Sequence, residues 1–80
     1  MQEKINENEE KTLKAFGKSI LALSSEKGKS LEKIAYEAGI SKSFIYEVAN
    51  GKGNPSLLIL SRIAAALDTP IWKILKPIEE

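Results

Sequence analysis

The stretch KIAYEAGISKSFIYEV, residues 33 to 48, stops one run of helically spaced apolar residues at Gly39 and begins another at Ser41, with only Ile40 between them. Glycine takes the left-handed conformation that ends a helix without a Cβ clash, and serine is among the best residues to start one. A chain punctuated in this way cannot continue as one straight rod. It must fold as two short helices crossing at a steep angle over a tight turn. Ser30 caps the first of them, whose inward residues are Leu31, Ile34, Ala35 and Ala38. Ser41 caps the second, whose inward residues are Phe44 or Ile45 together with Val48, and Asn50-Gly51 closes it.

The remaining sequence supplies three more helices around this pair. Leu13, Phe16, Ile20 and Leu23 recur at offsets of three and four, marking one face of a helix that ends near Gly28. GKGNPS, residues 51 to 56, reads as a loop with Ser56 capping a fourth helix that turns Leu57, Leu60, Ile63, Ala64 and Leu67 inward. Thr69 and Pro70 fit the N-cap and first position of a short fifth helix through about Leu75, with Pro77 beyond it. No stretch alternates at period two. The expected fold is all-α, a five-helix domain over residues 11–76, flanked by an acidic flexible tail at 1–10 and a short tail at 77–80. Eighty residues suffice for one domain, which buries only about 60% of the surface its unfolded chain exposes.

Composition removes most chemistry. Without cysteine or histidine there are no disulfides, thiolate nucleophiles, imidazole bases or ordinary zinc ligand sets, and a reducing, cytoplasmic setting is expected. No window approaches the roughly 20 apolar residues of a membrane helix, so a soluble protein without membrane attachment is expected. SSEK at 24 to 27 and SLEK at 30 to 33 have the Ser-x-x-Lys spacing of some acyl-enzymes, but that chemistry needs a deep pocket and further partners. The chain is read as a non-enzyme, and no cofactor, metal site or small-molecule ligand is evident. Net charge is only +1, yet it is unevenly spread. Residues 1–10 carry four glutamates against one lysine, residues 11–53 eight lysines against four glutamates, and residues 54–80 three of each sign. The positive excess coincides with the broken helix, where a polyanion would dock.

Counted from Leu31, the spacing of Ile34, Ala35, Gly39, Ile40, Ile45 and Val48 matches the helix-turn-helix unit: small where the helices approach, glycine in the turn, branched residues plugging the wedge. Residues 16 to 75 as a whole resemble the Cro/CI-type (XRE) helix-turn-helix domain of phage repressors, and most of all the small controller proteins of restriction-modification operons. NGKGNPSLLIL, residues 50 to 60, carries the most specific part of the likeness. The resemblance implies a homodimer that sets its third helix in the major groove of a roughly palindromic operator and represses or activates transcription. Leu31 stands where such domains commonly have a phosphate-binding glutamine, leaving the backbone amides at the start of the second helix for that role. Ser24 and Ala49 stand where many members pair an arginine with a glutamate; both charges are missing together. Ser19 and Leu21 stand where arginine is frequent.

With Ile45 and Val48 facing inward, Lys42, Ser43, Tyr46, Glu47 and Asn50 lie on the outer side of the third helix. Lys42 and Ser43 occupy its first turn, where base edges are read; Glu47 either accepts from cytosine or pairs with Lys42 or a neighbour. Tyr46 is placed for a base, sugar or phosphate contact, and Phe44 either packs in the wedge or touches a thymine methyl. Phosphate contacts are expected from Ser30 and Leu31, and from Asn50, Lys52 and the amides around Gly51 and Gly53. Trp72 lies one step off the inward stripe of the fifth helix. With Ile71 and Ile78 it is expected at a homodimer interface, the other reading being that it covers the first helix of its own chain. The expected partner is double-stranded DNA; the alternative is a protein-interaction module of the same fold, antitoxin-like or an adaptor, favoured by the thin positive charge and by Leu21, Tyr46 and Trp72.

Overall fold

The computed structural model describes residues 4–75, which form five helices and no strand. They are α1 (Glu7–Lys27), α2 (Leu31–Ala38), α3 (Lys42–Ala49), α4 (Leu57–Ala66) and α5 (Ile71–Leu75). Side-chain caps set most of the starts. The hydroxyl oxygens of Ser30, Ser41 and Ser56 accept from the amides of Lys33, Phe44 and Ile59 at 3.1, 3.0 and 3.1 Å, satisfying donors that the first helical turn leaves without partners.

Two expectations are corrected. The acidic stretch expected to be a flexible tail over residues 1–10 contains the start of α1. Asn6 and Glu9 form a reciprocal capping box: the Asn6 side chain accepts from the Glu9 amide at 2.8 Å and the Glu9 carboxylate accepts from the Asn6 amide at 3.0 Å. Glu7, Glu9 and Glu10 sit in the first turn, at the positive end of the helix dipole. The charges that suggest a solvated tail are thus also those that favour a helix start. The second correction concerns Leu57, expected inward. It is 67% exposed, and Leu58 beside it 60%. Helical periodicity gives the angle of a side chain around the axis but not whether another element lies opposite, and at the first turn of α4 the described residues leave it uncovered. The 77–80 tail lies outside the described residues.

Every helix contributes a completely buried isoleucine to one core: Ile20, Ile34, Ile45, Ile63 and Ile74, joined by Leu67 at the end of α4. α2 packs on both α3 and α4, while α1 packs on α3 and α5. The approach of α1 to α3 is backbone to backbone. A methyl group on Gly17 would run into the carbonyl oxygens of Val48 and Ala49, so α1 has a glycine in mid-helix and α3 a buried alanine opposite it. Ala49, standing where a glutamate is common in the family the chain resembles, is buried. Ser24 serves the adjacent turn instead, donating its hydroxyl to the Lys29 carbonyl. Lys29 in turn donates to Glu37 of α2 and to the Ala66 carbonyl at the end of α4, tying three elements together. Ser19, read as a position for phosphate-binding charge, is buried.

Candidate nucleic-acid interface

The turn between α2 and α3 is built from hydrogen bonds that only a left-handed residue permits. Gly39 has φ +73°, its amide donates to Tyr36 and Ala35, and the Ile40 amide donates to the Ala35 carbonyl at 3.0 Å. This double closure ends α2 abruptly, and Ser41 then restarts the chain in a new direction. Ile40 packs against the core from the corner, and Phe44, half-buried, packs there as well, which settles it as a wedge residue.

α3 shows two faces. Ile45, Val48 and Ala49 are buried, whereas Lys42, Ser43, Tyr46, Glu47 and Asn50 are exposed along the other side. Eight residues of helix, about 12 Å at 1.5 Å per residue, stand with one side uncovered. An α-helix with its side chains is about 10–12 Å across, which fits the major groove of B-form DNA, about 12 Å wide.

Within this face the charges have local partners. The Lys42 ammonium lies 2.8 Å from the Glu32 carboxylate in the first turn of α2. This bond, then the charge of Glu32, raises the Lys42 pKa. Lys42 thus pairs across the turn with Glu32 and not with Glu47, whose carboxylate has no ion-pair partner among the described residues.

The loop after α3 corrects one further expectation. The amides of Gly51, Lys52 and Gly53 donate inward, to Val48 at 3.0 Å and twice to Glu47 at 2.9 and 3.1 Å. Gly53 is buried, and its amide is not free to hold a phosphate. What the loop offers outward is the side chains of Asn50 and Lys52, both exposed. Gly51, at φ +76°, lies so close to Lys14 of α1 that a Cβ there would sit 2.8 Å from the Lys14 Cα. Lys14 is exposed and so joins Asn50 and Lys52 at the end of α3. It was missed because only tertiary packing brings residue 14 beside residue 51. At the start of α2 the Ser30 hydroxyl is engaged in capping, Leu31 is half-buried, and the amides of Leu31 and Glu32 have no partner among the described residues. Tyr36, 86% exposed on α2, is a second residue that sequence patterning passed over.

Away from this face, Ile71 packs against the core and Trp72 is 56% exposed with the Lys73 ammonium 6.0 Å from its ring centre. Ile78 lies outside the described residues. Among those residues no helix is long and apolar enough to cross a membrane.

Two short helices locked across a glycine turn, the second presenting a polar outer face, define a helix-turn-helix domain. Comparison with known proteins agrees: the profile of the helix-turn-helix family HTH_3 matches residues 23–71, and the chain belongs to this XRE-type family. It is 34% identical over 66 residues to the HTH-type transcriptional regulator SinR of Bacillus licheniformis, covering 81% of this chain and 60% of that protein. The chain thus spans about 60% of the length of this curated relative. Among solved structures it is similar to the restriction-modification controller protein C.AhdI from Aeromonas hydrophila, with TM-score 0.75 and 32% identity, over 78% of this chain and 94% of that one. It is also similar to SinR in complex with DNA, with TM-score 0.70 and 34% identity, over 76% of this chain and 98% of that one.

Proposed function

We propose that the protein is a sequence-specific DNA-binding transcriptional regulator that acts as a homodimer on a roughly palindromic operator. The observation that carries this reading is the uncovered side of α3, where Lys42, Ser43, Tyr46, Glu47 and Asn50 are exposed together while Ile45 and Val48 anchor the helix in the core. Similarity to a SinR structure solved with DNA supports it. Lys42 donates to guanine O6 and N7, Glu47 accepts from cytosine N4, and Ser43 and Tyr46 fill the space between. The free amides of Leu31 and Glu32, with Asn50, Lys52 and Lys14, hold phosphates on either side and fix the register of α3. Exposed Trp72, Leu57 and Leu58 supply apolar surface for the second copy that a two-fold operator requires.

Selection from a pool of random duplexes tests binding, symmetry and spacing together. The expected product is a pair of related half-sites about 34 Å apart, centre to centre, with affinity that falls steeply as salt is added. No enrichment, together with no binding of random duplex at about 10⁻⁴ M, sinks the reading.

A protein-interaction module of the same fold is the second reading, favoured by the exposed apolar side chains Leu21, Tyr46 and Trp72. The same titration separates the two, since a pure interaction module gives no salt-dependent association with DNA.

A further inference from the structure

Lys42, the residue best placed to read a base, is already engaged. Its ammonium lies 2.8 Å from Glu32, whose carboxylate stands in the first turn of α2 beside the amides assigned to a phosphate. Both side chains are more than half exposed, at 67% and 53%, so the pair has no buried scaffold holding it shut. An exposed ion pair of this kind opens at little cost. A groove lined with phosphates presents Lys42 with a competing acceptor and Glu32 with repulsion, both acting to part the two side chains. The Coulomb effects on Glu32 and Lys42 therefore run in the same direction during docking.

We infer that Glu32 is an intramolecular competitor for Lys42: it holds the lysine away from DNA in the free protein and must release it for base reading, so it tunes affinity and selectivity through Lys42. The inference rests on the DNA-binding reading and deepens it, naming a specificity-determining residue on α2 that touches no base itself. The partner displaced from Lys42 is a carboxylate of the same chain, so the competition needs no ligand or second protein. Duplexes offering Lys42 a guanine acceptor open the pair most readily, whereas duplexes lacking one must bind with the pair closed or leave Lys42 without a partner.

The test is a double-mutant cycle on full-length protein with the selected duplex, using Glu32→Gln, Lys42→Met and the two together. Both positions are exposed, and thermal unfolding confirms that each variant folds. Glu32→Gln is expected to tighten cognate binding by about two- to fivefold, the coupling typical of an exposed ion pair. In the Lys42→Met background that gain is expected to shrink to the part that comes from Glu32's own repulsion of phosphate, because Glu32 then has nothing to withhold. An equal gain in both backgrounds overturns the inference, since Glu32 would then act only by its own repulsion of phosphate. No gain in either also overturns it. Glu32→Asp, which keeps the charge, is expected to leave most of the restraint in place. A readout independent of DNA is the NMR titration of the Lys42 ammonium, expected at lower pH in Glu32→Gln than in the unchanged protein; coincident titrations disprove the pair. If the unchanged protein binds neither selected nor random duplex, the DNA-binding reading fails first and visibly, and this inference falls with it.

Discussion

Lys29 with Glu37 and Lys42 with Glu32 are ion pairs of equal length, 2.8 Å, each joining one end of α2 to a neighbouring element. Their surroundings differ. Lys29 is 19% exposed and also donates to the Ala66 carbonyl, where its charge offsets the negative end of α4. Its bonds converge from three directions, so breaking one leaves a poorly solvated donor or acceptor behind. Lys42 is open to water and, among the described residues, has Glu32 as its one ion-pair partner. Equal geometry thus gives a fastener at the closed end of α2 and a removable contact at its open end, and burial, not distance, makes the difference.

The largest expected effect breaks that contrast on the functional side. Lys42→Glu places a second carboxylate near Glu32 and a negative charge against DNA. Cognate affinity is expected to fall by about 10- to 100-fold or more, the worth of a good base contact, with the melting temperature nearly unchanged. Electrophoretic mobility shift and thermal unfolding measure the two; unchanged binding at matched salt removes α3 as docked here. Lys29→Met should do the reverse. Loss of its bond to the Ala66 carbonyl is expected to destabilise the fold by about 1–2 kcal/mol, lowering the melting temperature by about 4–8 °C for each kcal/mol, while DNA affinity measured well below the transition stays within about twofold. If Lys29→Met weakens DNA binding as much as Lys42→Glu without unfolding, the division of labour between the two pairs is wrong.

Local chemistry was legible before any coordinates. Ser30, Ser41 and Ser56 announce helix starts and Gly28 and Gly39 announce ends because a cap depends on residues a few positions apart. The buried Ile20, Ile34 and Ile63 follow from period, Ile45 from the helix-turn-helix spacing that chooses it over Phe44, and the outward set on α3 follows by subtraction. What escaped was everything that depends on the neighbour. Leu57 has the right phase for the core and is left exposed by the described residues. The Gly53 amide is consumed by a carbonyl that the loop folds back upon, and Lys14 meets Gly51 only because Gly17 lets α1 touch α3. Glu32 reads as a routine first-turn acid until the angle of the glycine turn brings Lys42 to it. The tail over residues 1–10 failed for a different reason: Asn6 and Glu9 form a capping box whose pattern was present in the sequence, hidden under a charge count.

The smallest expected effects lie at the two ends of the pH scale, and they distinguish the pairs by sign. Glu37 is held below the usual carboxylate range, first by the hydrogen bond from Lys29, with partial burial opposing it and the charges of Lys29 and Lys33 adding to it. A carboxyl group depressed in the folded state contributes stability above its unfolded pKa, about 4.3, and loses that contribution as pH falls through the lower folded value. Lys42 is raised, so its contribution is present below its unfolded pKa, about 10.4, and disappears as pH climbs through the higher folded value. Melting temperatures followed from pH 2.5 to 11 should therefore show Glu37→Gln flattening the acid limb and Lys42→Met flattening the alkaline limb, each leaving the other limb as it was. Lys42 is open to water and Glu37 partly so, and the changes are expected to be modest and to shrink as salt is added. Lys29→Met should remove most of the acid-limb effect of Glu37→Gln, because the hydrogen bond that chiefly depresses Glu37 is then gone and only the smaller effect of Lys33 remains; full persistence of the effect would strip Lys29 of its part in it.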